Sequence, residues 1–161
     1  MMESADLIRR FHAGDSGIFE HLIEDHQEDV YTLCLRNCGD TEIAEDMAEK
    51  IFLAAHRALY RLDPSTPLRT WLFQLSIATL ADTELAETVS SQPSDQQSAM
   101  VNAVLRELDA PFRFAVILRD VLQLTESEVA EILCLPLGTV RSRIHRGRLT
   151  MARSLAKQTD V

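Results

Sequence analysis

The 161-residue sequence predicts an all-α protein made of two small helical domains joined by a flexible linker. Three observations carry this expectation. Apolar residues recur at spacings of three and four through most of the chain, the period of amphipathic helices, and no run alternates as a strand would. The stretch SSQPSDQQS at residues 90–98 is rich in Ser and Gln and too poor in apolar side chains to bury a core of its own. Charge divides at the same place: residues 1–88 hold 7 Lys and Arg against 17 Asp and Glu, whereas residues 105–161 hold 9 against 7. The predicted organisation is a helical domain at 1–88, a linker at 89–99 and a second helical domain at 100–161.

Taken in order, residues 1–13 carry Glu3 and Asp6 and lack an apolar run before a small-residue cleavage site, so no secretory leader is expected. Phe19, Leu22, Ile23, His26, Val30, Leu33 and Cys34 then fall at helical spacing, with Asp15 or Ser16 placed to cap the start and Gly39 to end it. Asp40 or Thr41 opens a second helix, whose apolar stripe is Ile43, Met47, Ile51, Ala54, Ala55 and Leu59; it should stop before Asp63-Pro64. After Pro67, the residues Leu68, Trp71, Leu72, Leu75, Ala78 and Leu80 predict a third helix running towards Glu87. Beyond the linker, Val101, Val104, Leu105 and Leu108 form one stripe. Phe112, Val116, Ile117 and Val121 form another, with Pro111 at a permitted first-turn position.

Composition excludes several classes. No segment approaches the roughly 20 consecutive apolar residues of a membrane span, and the expected compartment is the cytoplasm. Cys34, Cys38 and Cys134 are odd in number and too few for a disulfide framework. Cys34 and Cys38, with His26 eight residues before Cys34, have a spacing that two metal ligands on a helix could use, but no fourth ligand follows and Cys34 lies on the core stripe; no metal and no cofactor are expected. The five histidines are scattered, and neither a Gly-rich phosphate loop nor a nucleophile elbow appears, so an enzyme is not expected. A surplus of acid in the first half favours solubility or a basic protein partner over direct polynucleotide binding.

The second half carries the sharper motif. Thr125-Glu126-Ser127-Glu128 is a capping box: the Thr125 hydroxyl accepts from the third helical amide, and the Glu128 carboxylate reaches back to the amide of Thr125. Val129, Ala130, Ile132 and Leu133 supply a buried face. Leu135-Pro136-Leu137-Gly138 then breaks the helix, and a new one begins near Thr139 with Val140, Ile144, Met151 and Leu155 inward. That leaves Arg141, Ser142, Arg143, His145, Arg146 and Arg148 on other faces. A short helix, a tight turn and an arginine-bearing helix predict a helix-turn-helix whose second helix enters the major groove, where Arg donates two bonds to guanine and Ser or His selects among base edges. The alternative is an arginine-rich helix that is merely solvated.

These residues carry a family resemblance. Residues 128–133, EVAEIL, followed by residues 136–148, PLGTVRSRIHRGR, resemble the sigma-four domain of extracytoplasmic-function (ECF) sigma factors of the sigma-70 family. Gly14-Asp15 with Phe19, Ala44-Glu45-Asp46-Met47 leading to Phe52, and Trp71-Leu72 resemble their sigma-two domain. The resemblance implies an alternative sigma factor that binds RNA polymerase core, sigma-two on the beta-prime clamp helices and sigma-four on the beta flap, and directs initiation at promoter DNA, held in check by an anti-sigma factor. It implies further that Glu45, Asp46 and Glu49 face polymerase and that Thr139, Arg141, Ser142, Arg143, His145, Arg146 and Arg148 meet the minus-thirty-five element. The chain departs from the family pattern at Glu49, where Gln is usual, and at Ile77-Ala78, where Arg-Asn is usual. No positive charge lies between Arg69 and Arg106, which leaves few groups to hold phosphates and extruded bases at a minus-ten element. A sigma-like protein that binds polymerase or an anti-sigma factor without opening promoters is therefore the alternative reading, and a plain regulator with a dimerising first half is the third.

Overall fold

In a computed structural model, residues 2–83 and 96–160 are described. Eight α-helices occupy them: α1 Ser4–His12, α2 Gly17–Cys38, α3 Thr41–Leu59, α4 Leu68–Thr83, α5 Gln96–Glu107, α6 Ala110–Val116, α7 Glu126–Leu133 and α8 Leu137–Thr159. α6 runs on into a π-helical turn at Ile117–Val121. Among the described residues there is no strand, as the absence of alternating patterns predicted. Most of the predicted linker lies outside the described residues, as does the expected continuation of α4 towards Glu87; α5 begins at Gln96, inside the last part of the predicted linker.

Local chemistry sets the boundaries. Gly39 ends α2 in the left-handed conformation at φ 75°, and its amide donates to the Leu35 carbonyl at 2.7 Å. Asp40 caps α3 by accepting from the Ile43 amide at 3.0 Å. Neither Asp15 nor Ser16 caps α2 through its side chain; Asp15 instead accepts a forked bond from Arg10 of α1. α1 itself was not anticipated. Leu7, Ile8 and Phe11 carry its apolar face, with Ile8 and Phe11 fully buried against α2 and the end of α3.

The core runs without a break through both halves of the chain. In the first half α2 packs along α3, burying Leu22, Val30, Leu33 and Cys34 against Met47, Ile51, Ala55 and Leu59. In the second half α6 packs on α8, with Phe114, Ala115 and Val116 meeting Val140 and Ile144. Gly147 makes that approach close. A Cβ at this position would stand 2.5 Å from Val116 Cγ2, so only glycine fits where the two helices cross. Contacts also join the halves: α2 touches α5 and the π turn, and α4 touches α7.

Candidate nucleic-acid interface

The capping box forms as predicted, with the Thr125 amide donating to Glu128 Oε2 at 2.7 Å and the Glu128 amide to Thr125 Oγ1 at 3.1 Å. That amide bond, the largest influence, holds the Glu128 carboxyl below its ordinary pKa. The turn that follows is shorter than expected. Cys134 takes the left-handed conformation at φ 54°, Pro136 is the N-cap of α8, and Gly138 lies inside its first turn rather than breaking the chain. α8 therefore starts two residues before Thr139. The left-handed position usually belongs to glycine, so Cys134 gave no sequence signal for the turn.

The seven predicted DNA-contacting residues all lie on the first three turns of α8, arranged around Val140, Ile144 and Gly147, which face the core. Arg141, Ser142, His145, Arg146 and Arg148 are exposed, whereas Thr139 and Arg143 are half-buried on one flank. Three of the arginines are held in place. Arg141 Nε donates to Glu126 Oε2 at 2.7 Å. Arg148 forks onto Asp120 of the π turn, with Nε at 2.9 Å from Oδ2, and this bond pushes its pKa up. The Arg146 guanidinium lies 5.4 Å above the Phe112 ring centre. Exposed ion pairs of this kind add little stability, typically below about 1 kcal/mol; their effect is to fix the direction of the guanidinium. Arg141 and Arg148 each spend one edge on an acid and keep further N–H groups directed outward, the arrangement that suits phosphate. Asp120, Glu126 and Phe112 were not identified from sequence as supports, and only Glu126, adjacent to the cap, stood within a motif.

On the first half, α3 displays Glu45, Asp46 and Glu49 to solvent, with Leu53 50% exposed on the same helix and Tyr60, just past its end, 56% exposed. A groove of about 440 Å³ runs between α2 and α3, floored by Ile23, Tyr31 and Phe52 and rimmed by Glu28, Glu45 and Glu49. Asp46 does not line it. Burial, with Glu45 nearby, raises the Tyr31 pKa. The groove is apolar below and acidic above, suited to a basic amphipathic element of a protein partner. Among the described residues no group of His, Cys, Asp or Glu is placed to hold a metal ion; Cys34 is buried and its thiol is pushed up to about 12, mainly by desolvation. No helix among them is long and apolar enough to cross a membrane.

Fold and site thus define a helical protein with an acidic first half and a helix-turn-helix second half. Comparison with known proteins is specific. The family model for Sigma-70 region 2 matches residues 22–83, and that for Sigma-70, region 4 matches residues 98–151. The chain is 27% identical over 177 residues to ECF RNA polymerase sigma factor SigW of Bacillus subtilis, covering 92% of this chain and 94% of that protein. It is 28% identical over 170 residues to the ECF RNA polymerase sigma-E factor of Escherichia coli K12, covering 88% of each. Its fold matches a solved structure of CnrH in complex with the cytosolic domain of CnrY, with a TM-score of 0.82, 23% identity and coverage of 96% of this chain and 97% of the other. It also matches the sigma factor RpoE in complex with the anti-sigma factor NepR from Bartonella quintana, with a TM-score of 0.72, 19% identity and coverage of 86% and 96%. The chain belongs to the ECF sigma factors of the sigma-70 family.

Proposed function

We infer that this protein is an alternative sigma factor: it binds RNA polymerase core and directs transcription initiation at specific promoters. The observation that carries the reading is the presence in one chain of both sigma-70 regions, region 2 on α2 to α4 and region 4 on α5 to α8. In this reading residues 1–88 and 100–161 are the two working domains and residues 89–99 join them. The first docks on the polymerase beta-prime clamp helices through the acidic rim of Glu45 and Glu49 and the neighbouring Asp46. The second sits on the beta flap and places α8 in the major groove of the minus-thirty-five element, with Ser142, Arg143, His145 and Arg146 towards base edges and Arg141 and Arg148 on flanking phosphates. It acts in the cytoplasm as an adapter with no catalytic chemistry of its own. An anti-sigma factor is the expected regulator, since the structural neighbour RpoE was solved with the anti-sigma factor NepR.

The test is reconstitution of the chain with core polymerase, read by co-elution and by run-off transcription on promoters selected from genomic fragments. Reversing Glu45, Asp46 and Glu49 to Lys should abolish co-elution while circular dichroism keeps the helical signal. Co-elution that survives all three reversals would remove these residues from the polymerase interface.

A further inference from the structure

The two flanks of α8 both carry arginines, but only one of them carries acids. Arg141 and Arg148 are two helical turns apart and share one flank; Arg143 and Arg146 lie on the other, with Ser142 and His145 on the outermost face between them. On the first flank each guanidinium meets a carboxylate from a different element. Arg141 Nε donates to Glu126 Oε2 at 2.7 Å, and Arg148 Nε to Asp120 Oδ2 at 2.9 Å, with Arg148 Nη2 on the second Asp120 oxygen. The Asp120 bond is the chief cause of the raised Arg148 pKa, and the charge of Glu126 adds to it, so two acids and two arginines act as one cluster. On the second flank neither Arg143 nor Arg146 is paired with an acid among the described residues, and Arg146 rests over the Phe112 ring.

Local backbone puts the acids there. The Leu122 amide donates to the Ile117 carbonyl at 3.0 Å, five residues back, so α6 ends in a wider π turn. Within it Arg119 turns back to the Leu124 carbonyl at 3.1 Å, while Asp120 extends to Arg148. Glu126 is the first residue of α7, where the capping box fixes the backbone. All four paired side chains are at least a third exposed, so the pairs add little to stability. Two carboxylates on a surface that meets DNA also repel the phosphates it must approach. Neither folding nor raw affinity therefore accounts for them.

Discrimination does. An unpaired arginine on its flexible stem follows any phosphate within reach, whereas one whose Nε edge is held on a carboxylate offers only its remaining N–H groups, in a fixed direction. We propose that Asp120 and Glu126 are specificity-determining positioning residues: they withhold Arg141 and Arg148 from a loosely placed duplex and let their outward N–H groups meet phosphate only where α8 is seated at full depth in the groove. This rests on the reading of α8 as the promoter-contacting helix. The unpaired charges of Arg143 and Arg146 draw in any duplex, and the paired flank then rewards the one that fits.

The test compares the wild-type full chain with the double variant Asp120→Asn, Glu126→Gln on two duplexes, one selected by the wild-type chain from a random pool and one with the same bases scrambled. Each guanidinium freed to follow a phosphate should steepen the slope of log K against log salt by about 0.9, which is about eightfold in affinity at about 0.1 M salt. The double variant should therefore bind the scrambled duplex about eightfold tighter or more, stay within about threefold of wild type on the selected one, and lose selectivity accordingly. Glu131→Gln removes an exposed charge of α7 that no arginine holds among the described residues, and should leave the ratio of the two affinities unchanged. Circular dichroism controls for folding. Equal tightening on both duplexes, as a bare change of net charge gives, would overturn the proposal. Weakening on both would do the same, since the acids would then be simple props. A wild-type chain that binds neither duplex would overturn the assignment of α8 to DNA, and the proposal with it.

Discussion

Gly147→Ala is the most informative single substitution, because two effects of known size oppose each other there. Within a helix, alanine in place of glycine stabilises by about 1 kcal/mol when nothing else changes. The new methyl would meet Val116 Cγ2 at 2.5 Å, whereas carbon atoms rest about 3.5–4.0 Å apart, so α6 and α8 must separate by roughly 1 Å or Val116 must leave its rotamer. The Phe112 carbonyl oxygen, 3.5 Å away, would be in ordinary van der Waals contact, so the clash is with Val116 alone. Overpacking of this kind costs about 1–3 kcal/mol. The net expectation is a loss of up to about 2 kcal/mol, seen in urea unfolding as a midpoint lowered by up to about 1 M. Val116→Ala removes the obstructing methyl, so the double variant should be more stable than the two single losses predict, with a coupling of about 1 kcal/mol or more. A Gly147→Ala protein more stable than wild type by the full helical increment, with no coupling to position 116, would refute the close-packing account.

Other outcomes follow from the same structure. Arg141→Ala and Arg148→Ala, which remove the two guanidinium groups assigned to phosphates, should each weaken duplex binding and lower the slope of log K against log salt by about 1; an unchanged slope in both would remove α8 from the DNA interface. At neutral pH a bulky maleimide should modify exposed Cys134 and leave buried Cys34 intact until the protein is denatured, as mass spectrometry would show; equal rates would contradict the packing of α2. Burial, the leading cause, with Arg69 nearby, holds the His26 pKa below 6.5 in the folded chain. Its contribution to stability is therefore full above pH 6.5 and lost as pH falls below that value, and His26→Gln should flatten the urea midpoint between pH 7.5 and 5.5. The depressed Glu128 acts in a separate window, its contribution falling away only as pH drops through the carboxylate range.

Helices whose ends carry ordinary punctuation were legible in the sequence. Gly39 and Asp40 mark the break between α2 and α3, and Thr125 with Glu128 marks the start of α7 within one residue. Where the chain uses an unusual residue for a turn, the reading slipped: Cys134 does the work assigned to Gly138, so α8 gained two residues. α1 has no side-chain cap to mark its start, although Leu7, Ile8 and Phe11 have helical spacing. The arginines of α8 could be named from their spacing around Val140 and Ile144. Their supports could not, since Asp120 and Phe112 reach α8 only through the tertiary packing of α6 and the π turn. For the same reason α4 looked poorly equipped for nucleic acid when read in isolation; its apolar surface has a cause only once α7 is seen lying on it.

The central claim is that one chain acts at two points, gripping polymerase through α3 and a promoter through α8. The most direct measurement is a permanganate footprint of a cognate promoter incubated with core polymerase and this protein. Reactive thymines around the minus-ten position, present with the wild-type chain and lost with either the Glu45, Asp46 and Glu49 reversal or the Arg143 and Arg146 double alanine, are the predicted result. Stable core binding with no strand opening on any promoter would contradict the account and leave a polymerase-binding relative that does not initiate.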